Sequence, residues 1–309
     1  MMAAARKVAC VEIGGIPIAL STCDDGFLDL LRRRYDGFLS ASRPEFELEF
    51  DLTRPLPVSD DDVRVRREGD EWLLERGDFR ARWNLRTGRG SVRQNANPYS
   101  LDSVLRILHS LIVAGRGGFL LHAASAICRA PSASFGASFN GRAYLFSGVS
   151  GAGKTTMTRL APPDITLLTD EISYLRPGPD GYSAFGTPFA GELAKAGENC
   201  TAPVAALFFL EQGPVNRVDE LSPTEAVRRL MRNILFFAED QALVEMLLAT
   251  ACDFVARVPI RRLTFYPDAR VWDLVRDFDP SFDRKFEPAL DRNLDRAFAH
   301  NLQEVPKRA

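Results

Sequence analysis

Residues 148–155 are the part of this chain whose residue types and spacing are best suited to chemistry. Their sequence, GVSGAGKT, matches the pattern G-x-x-x-x-G-K-[ST] of a phosphate-binding loop. In such a loop the glycines let successive backbone N–H groups converge on phosphate oxygens, and the positive end of the following helix adds to the attraction. The motif therefore predicts that the chain binds the phosphates of a nucleotide.

The residues expected to contact the nucleotide are the loop and the residue after it: Gly148, Val149, Ser150, Gly151, Ala152, Gly153, Lys154, Thr155 and Thr156. Lys154 is expected to reach the terminal phosphates and to take part in catalysis, and Thr155 is expected to offer its hydroxyl to Mg²⁺. An apolar segment at 143–146 predicts a strand before the loop, and residues 156–160 predict the first turns of a helix after it. The motif requires this strand–loop–helix context.

Two adjacent carboxylates, Asp170 and Glu171, follow the next apolar segment along the chain. A phosphate loop needs an acidic residue at the end of a neighbouring strand to hold its metal ion. We expect Asp170 to orient the attacking hydroxyl or accept its proton, and either Asp170 or Glu171 to bind Mg²⁺. Adjacent strand residues point to opposite faces, so only one faces the phosphates unless the strand ends there. The alternative is that one of the two caps a turn.

Other polar residues allow a functional or a structural interpretation. His122 lies in an apolar run at 119–127, where a histidine is more often a hydrogen-bonded core residue than a catalytic one. The small-residue segment 186–192 can either bring its backbone close to a ligand or form an ordinary turn. Three arginines on a predicted helix are more typical of a solvated face than of a phosphate contact: Arg228, Arg229 and Arg232. The remaining histidines, His109 and His300, are expected to be structural.

Hydrophobic periodicity divides the chain into three regions. Residues 1–97 predict a β-rich region without an evident catalytic cluster, residues 98–280 the catalytic region, and residues 281–309 a charged tail with room for one amphipathic helix. The first region contains predicted strands at 8–13, 16–20, 46–50, 63–67, 72–76 and 79–85, and a helix at 27–39. The second contains predicted helices at 99–115, 228–237, 242–255 and 269–277, strands at 119–127, 143–146, 165–175, 182–185, 204–210 and 260–266, and an exposed loop at 130–141.

The composition restricts the class of protein. Hydrophobic residues make up 46% of the 309 and the formal net charge is −2, which gives no general attraction to nucleic acid or acidic membranes. The apolar runs are too short for a secretory signal or a membrane span. Five scattered cysteines favour reduced thiols over a disulfide framework: Cys10, Cys23, Cys128, Cys200 and Cys252. The sequence therefore predicts a cytoplasmic protein that binds neither membrane nor nucleic acid.

The order of three segments resembles the catalytic domain of bacterial HPr kinase/phosphorylase and its kinase-like relatives. These segments are Leu121-His122-Ala123, then residues 148–156, then Leu168-Thr169-Asp170-Glu171. That family has a histidine-bearing strand before its phosphate loop and an acidic pair on the strand after the loop's helix. The resemblance covers residues 117–275. The pair is Asp-Glu here, where the family usually has two aspartates, and the segment associated with phosphorylase activity is not evident.

The resemblance implies a fold, an activity and roles for individual residues. The fold is a mixed α+β phosphate-loop domain related to PEP carboxykinase, preceded here by the smaller β-rich region. The activity is transfer of a phosphoryl group from ATP to a serine side chain of a protein or peptide, with Mg²⁺. His122 would be an active-site residue, Asp170 the catalytic acid or base, and Glu171 a metal-associated carboxylate. Kinases that phosphorylate a peptide's serine are similar in size and in the segment 186–192.

Two other functions are compatible with the same residues. The chain can be a nucleotide-binding regulatory module without a phosphoryl acceptor, since a sensor needs only the loop and a metal ligand. It can also be a kinase for a small metabolite, which would require a narrow, enclosed acceptor pocket. The identity of the acceptor, a reverse activity and assembly into a homo-oligomer are left open by the sequence.

Overall fold

The computed structural model describes residues 5–53, 62–129, 141–179, 181–193 and 195–278. These residues form a mixed α/β structure with two multi-stranded sheets, and they belong to one compact unit. The predicted tail at 281–309 and residues 130–140 of the predicted loop lie outside the described residues. No helix in the described part of the chain combines the length and apolar character required to cross a bilayer.

The first sheet is built from residues 7–94. Its strands are β1 (Lys7–Ile13), β2 (Ile16–Thr22), β3 (Phe46–Leu52), β4 (Arg64–Glu68), β5 (Glu71–Arg76), β6 (Phe79–Asn84) and β7 (Arg89–Gln94). They lie side by side in the order β1-β2-β3-β7-β6-β5-β4. Helix α1 (Asp25–Arg34) connects β2 to the parallel strand β3. Alternate residues of β3 are buried and exposed, as the period-two pattern predicts.

Most predicted elements of this region are confirmed, and two differ. The predicted helix at 27–39 ends at Arg34, because the chain turns at Gly37 (φ 81°) and Phe38 and Ser40 then hydrogen-bond to the backbone of β1. Phe38 is nevertheless fully buried, which explains the extended apolar pattern. Strand β7 was not predicted, since its sequence RGSVRQ contains a single large apolar residue, Val92.

The second part of the chain begins with helix α2 (Pro98–Ala114) and forms the second sheet. Its strands are β8 (Phe119–Arg129), β9 (Gly141–Ser147), β10 (Thr166–Thr169), β11 (Ile172–Gly178), β12 (Gly181–Phe185), β13 (Thr201–Gln212), β14 (Arg217–Glu220), β15 (Ile234–Leu235) and β16 (Ile260–Phe265). Its helices are α3 (Lys154–Arg159), α4 (Pro223–Asn233), α5 (Gln241–Arg257) and α6 (Val271–Arg276). β9 pairs antiparallel with β8 and parallel with β13, which in turn pairs parallel with β16. The carboxyl ends of β9, β13 and β16 therefore meet at one edge.

Two predicted elements of this part are interrupted. The strand predicted over 165–175 is two strands, β10 and β11, which both pair antiparallel with β8, and Asp170 and Glu171 lie in the break between them. The helix predicted over 228–237 ends at Asn233, after which Ile234 and Leu235 pair with β8. Apolar residues continue through the second interruption, so periodicity gave no sign of it, whereas the first falls at the two charged residues. β14 was also not predicted.

Helix α2 connects the two sheets. Its apolar residues share one core with the first sheet and with Leu120, Ile172 and Tyr174 of the second. The buried carboxylate of Asp102 on α2 accepts hydrogen bonds from Tyr35 (2.8 Å) and from the guanidinium of Arg34 at the end of α1. These hydrogen bonds attach α2 to the end of α1, which belongs to the first part of the chain. The division of the chain at residue 97 stays a prediction.

His109 on α2 is a core residue, as expected, and its ring lies edge-on to that of Tyr174. Burial lowers its pKa from 6.5 to about 3, so the folded chain keeps it neutral where the unfolded chain binds a proton. We therefore expect the free energy of unfolding to fall as the pH drops below about 6.5, by up to about 1.4 kcal/mol per pH unit for this proton. Urea unfolding between pH 7 and pH 5 measures the slope. His109→Phe should make it shallower, and equal slopes would contradict the assignment.

Candidate functional site

The loop at 148–153 leads from β9 into α3 at the edge where three parallel strands end. Gly153 has a φ of 113°, and a Cβ at this position would overlap the ring of Phe265. Gly151 has a φ of 79°, again in the region that favours glycine. The side-chain amide of Gln212, at the end of β13, donates to the carbonyl of Gly151 (2.7 Å). The neighbouring strands thus determine the backbone path of the loop.

Lys154 folds back over the loop that precedes it. Its Nζ donates to the carbonyl oxygen of Gly148 at 3.0 Å. Burial lowers the pKa of Lys154, while the carboxylates of Glu171 and Glu192 act in the opposite direction. Its ammonium group is therefore held inside the curve of the loop, with two carboxylates nearby.

Thr155, the next residue, contacts a carboxylate that sequence reasoning did not single out. Its Oγ1 donates to Glu192 at 3.1 Å. Glu192 is the last residue of the small-residue segment 186–192, whose composition predicts only a close approach of its backbone to a ligand or an ordinary turn. The hydroxyl and carboxylate oxygens at this point are of the type that Mg²⁺ prefers, and Mg²⁺ is usually bound by one or two carboxylates together with substrate phosphates.

Asp170 is buried and caps the segment that carries Glu192. Its two carboxylate oxygens accept hydrogen bonds from the backbone N–H groups of Gly191 (2.9 Å) and Leu193 (3.0 Å). Thr187, at the start of the segment, donates to the carbonyl of Ile172 (2.9 Å). The segment is thus attached at both ends to the break between β10 and β11. The capping alternative describes the observed contacts of Asp170; its role as a base stays a prediction.

Glu171 points toward a second residue that the sequence did not reveal, Arg106 on α2. The side chain of Glu171 is 29% exposed, and its Oε2 lies 3.6 Å from Nη2 of Arg106. Burial raises the pKa of Glu171, and the positive charges of Arg106 and Lys154 oppose that shift. The guanidinium of Arg106 also lies over the ring of Phe189, 5.3 Å from its centroid. Glu171 is therefore half-buried beside the guanidinium of Arg106.

His122 lies on β8 between the two helices that carry these cations. Alternate residues of a strand share a face, so Leu120, His122 and Ala124 form one row. Leu120 belongs to the core that α2 buries, and Ala124 to the core that contains Met157 of α3. His122 occupies the gap, and Ser147, at the end of β9, donates to its carbonyl (2.8 Å).

The protonation state of His122 follows from this position. Burial, with the nearby positive charges of Lys154 and Arg106, lowers the pKa of His122 from 6.5 to about 4. At neutral pH the imidazole is uncharged, so it can donate or accept one hydrogen bond but brings no positive charge to the site.

The other residues considered from sequence lie away from these contacts or point outward. Val149 is 76% exposed, Ala152 is buried in the core under α3, and Ser150 is exposed. Arg228 and Arg232 are exposed, which agrees with the solvated-face interpretation. Arg229 differs, because it is partly buried and also pairs with Glu211 on β13 (2.9 Å). Among the described residues, no group of three or more His, Cys, Asp or Glu side chains is arranged around one point as metal ligands.

Comparison with known proteins does not assign the chain to a class. A scan against protein-family models gives no match, and a search of curated proteins gives none either. The fold is mixed α/β, and its phosphate-loop sequence lies at the carboxyl edge of parallel strands. Three further charged residues lie close to this loop: Glu171, Glu192 and Arg106. The resemblance to HPr kinases therefore rests on the three sequence segments 121–123, 148–156 and 168–171.

Proposed function

We propose that this chain is an ATP- and Mg²⁺-dependent phosphotransferase whose acceptor is a serine hydroxyl of a protein or peptide. The observation that supports it most is the convergence of Lys154 and Thr155 with two carboxylates from separate elements, Glu171 and Glu192. A loop that only bound phosphate would need the backbone and the lysine. The additional carboxylates are what metal binding and proton transfer require.

The loop, Thr155, Glu192 and Asp170 each have a part in this proposal. Backbone N–H groups of residues 148–155 and the ammonium of Lys154 bind the phosphates, and the Thr155 hydroxyl with the Glu192 carboxylate holds the metal ion. When bound, Mg²⁺ neutralises charge on the β- and γ-phosphates. The oxygen donors present fit such a hard cation. Asp170 keeps Glu192 in place through its backbone contacts and is the proposed acid or base.

The transfer itself exchanges one P–O bond for another. The serine oxygen attacks the γ-phosphorus, the bond between that phosphorus and the β,γ-bridging oxygen breaks, and ADP leaves with the electron pair. The hydroxyl proton passes to a carboxylate of the site, Asp170 in this proposal, and then to water. Most of the acceleration in such reactions comes from positioning and charge stabilisation, which a fixed loop and fixed side chains supply.

We further propose that residues 117–275 have the phosphate-loop fold related to PEP carboxykinase and HPr kinase. In support, the loop strand β9 has an antiparallel neighbour, β8, on one side and a parallel neighbour, β13, on the other. A doubly wound domain would surround it with parallel strands. Along the chain, His122 of β8 precedes the loop and the acidic pair between β10 and β11 follows it, which is the order that the family has.

A nucleotide-binding module without an acceptor is the second candidate. The observation that favours it is the engagement of both Asp170 oxygens by backbone N–H groups. In that function the hydrogen bonds of Asp170 to Gly191 and Leu193 would link the binding of a metal–nucleotide complex to the position of segment 186–192. Asp170 would then transfer no proton. ATP binding without transfer to any protein or peptide would distinguish it from the kinase.

Two glutamates between β12 and β13, Glu192 and Glu198, provide a matched pair of variants that tests the proposal. Glu192→Gln is expected to weaken MgATP binding about tenfold or more in calorimetric titration, while binding of ATP in EDTA changes little, because the lost charge acts through the metal. Glu198→Gln, an exposed residue of the same segment, should behave as the wild type. Radiolabelled ATP incubated with a cell lysate reports transfer to proteins and peptides. Wild-type protein that binds no MgATP would refute the proposal.

A further inference from the structure

Arg106 is a cation of the candidate site whose position the proposed binding of ATP leaves unexplained. It is carried by α2, whereas the loop belongs to α3 and β9. Its side chain is 25% exposed, so it is neither a core residue nor a freely solvated one. Arginines of this kind normally satisfy their donors with carboxylates or carbonyl oxygens.

Within the described part of the chain, Arg106 is poorly satisfied. Its Nε is buried without a hydrogen-bond partner. Its contact with Glu171 is 3.6 Å, which is attractive electrostatically but longer than a hydrogen bond. By comparison, Arg34 on α1 directs both Nε and Nη2 to the two oxygens of Asp102. Because Nε is buried and the side chain is 25% exposed, the terminal N–H groups of Arg106 are the donors that an incoming oxygen can reach.

The guanidinium is nevertheless held in place. It lies over the ring of Phe189, which is fully buried and belongs to the segment that Asp170 caps. Stacking on an aromatic ring fixes the plane of a guanidinium without using its N–H groups. The geometry is thus that of a preorganised donor rather than of a mobile surface arginine.

The position of Arg106 indicates which anion it serves. On β8, His122 lies between the part of the strand covered by α2 and the part covered by α3. Nη2 of Arg106 lies 3.6 Å from Glu171, the neighbour of Asp170, whereas Nζ of Lys154 lies over the loop and donates to Gly148. Lys154 belongs to the loop that receives ATP. Arg106 therefore lies beside the acidic pair that contains Asp170, the residue proposed to take the proton of the acceptor.

We propose that Arg106 binds the phosphoryl group during its transfer, from the acceptor side of the site. A planar guanidinium with free N–H donors matches the equatorial oxygens of a phosphoryl group between donor and acceptor. This inference rests on the proposed phosphotransferase function and adds a substrate contact to it. It also predicts that Arg106 contributes little to the binding of ADP, whose phosphates end on the loop.

Tetrafluoroaluminate with MgADP is the probe, because it imitates the phosphoryl group in flight and needs no identified acceptor. For the wild type we expect tetrafluoroaluminate to tighten MgADP binding at least about tenfold, as mimics of transition states do. Arg106→Gln should keep its affinity for MgADP alone and lose most of the tightening. Arg106→Lys, which keeps the charge but not the fork of donors, should retain part of it.

Arg176→Gln is the matched control. Arg176 also lies over a phenylalanine ring, that of Phe185, but it donates to the carbonyl of Gly14, away from the loop. It should show the full effect of tetrafluoroaluminate, and thermal unfolding of every variant checks that it is folded. Equal tightening in Arg106→Gln and the wild type, or none in a wild type that binds MgADP, overturns this inference alone. A wild type without MgADP binding overturns the phosphotransferase proposal as well.

Discussion

Replacing Lys154 by alanine is expected to abolish phosphoryl transfer, with a loss of about a thousandfold or more in rate. The ammonium group lies inside the curve of the loop, where it donates a hydrogen bond to the carbonyl of Gly148. In the proposed complex it is the loop's own positive side chain near the γ-phosphate, and removal of such a preorganised charge affects the transition state most strongly. Transfer from radiolabelled ATP and calorimetric binding of MgATP measure the two effects separately.

Lys7→Ala is the matched control for this variant. Lys7 forms an exposed ion pair with Asp25 in the first sheet, so the same substitution there should leave binding and transfer unchanged. Lys154→Ala should also weaken MgATP binding, but by less than it slows transfer. A Lys154→Ala protein with wild-type transfer would show that the loop is not the site of the reaction.

Asp170→Asn is expected to reduce turnover about a hundredfold or more while nucleotide binding is largely kept. Asparagine cannot accept the serine proton, and this alone accounts for the loss if Asp170 is the base. The structure adds a second effect. Asparagine has one acceptor oxygen where Asp170 uses two, so either Gly191 or Leu193 loses its partner. A buried N–H without an acceptor costs about 1–3 kcal/mol of stability.

The two effects can be separated by comparing stability with turnover. Asp164→Asn makes the same chemical change in an exposed residue that pairs with Arg276, so it should alter stability by less than about 1 kcal/mol and turnover not at all. If Asp170 acts only as a cap, turnover should fall no further than the Mg²⁺-dependent part of ATP binding does, because both losses then come from displacement of Glu192. Full activity in Asp170→Asn would remove the residue from the mechanism.

Local sequence was sufficient for the parts of this structure that local physics decides. The glycines of the phosphate loop permit its positive-φ turns, and the alternating residues of β3 specify a strand with one buried face. The position of β8 before the loop followed from a continuous apolar run. These features depend on residues within about ten positions of one another, which is the range of periodicity arguments.

Long-range contacts complete the site, and a single sequence does not contain them. Glu192 reaches Thr155 across 37 positions, and Arg106 meets Glu171 from a helix that looks like any amphipathic helix of the core. The small residues of segment 186–192 predict that its backbone approaches another group closely. They do not predict that the side chain of Glu192 contacts Thr155. Nothing in the sequence around Arg106 distinguishes it from a surface arginine. Its unusual feature is that Nε lacks a hydrogen-bond acceptor, which only the three-dimensional structure shows.

The shared core around α2 has a consequence for substitutions far from the nucleotide. Asp102, fixed by Arg34 and Tyr35, lies one helical turn before Arg106, and the apolar residues between them pack against the first sheet. Loosening that packing, for example by trimming Tyr35 or Leu105, shifts the helix that aims the guanidinium. Genetic screens for lost activity should therefore recover changes in the β-rich region that leave the nucleotide-binding residues intact.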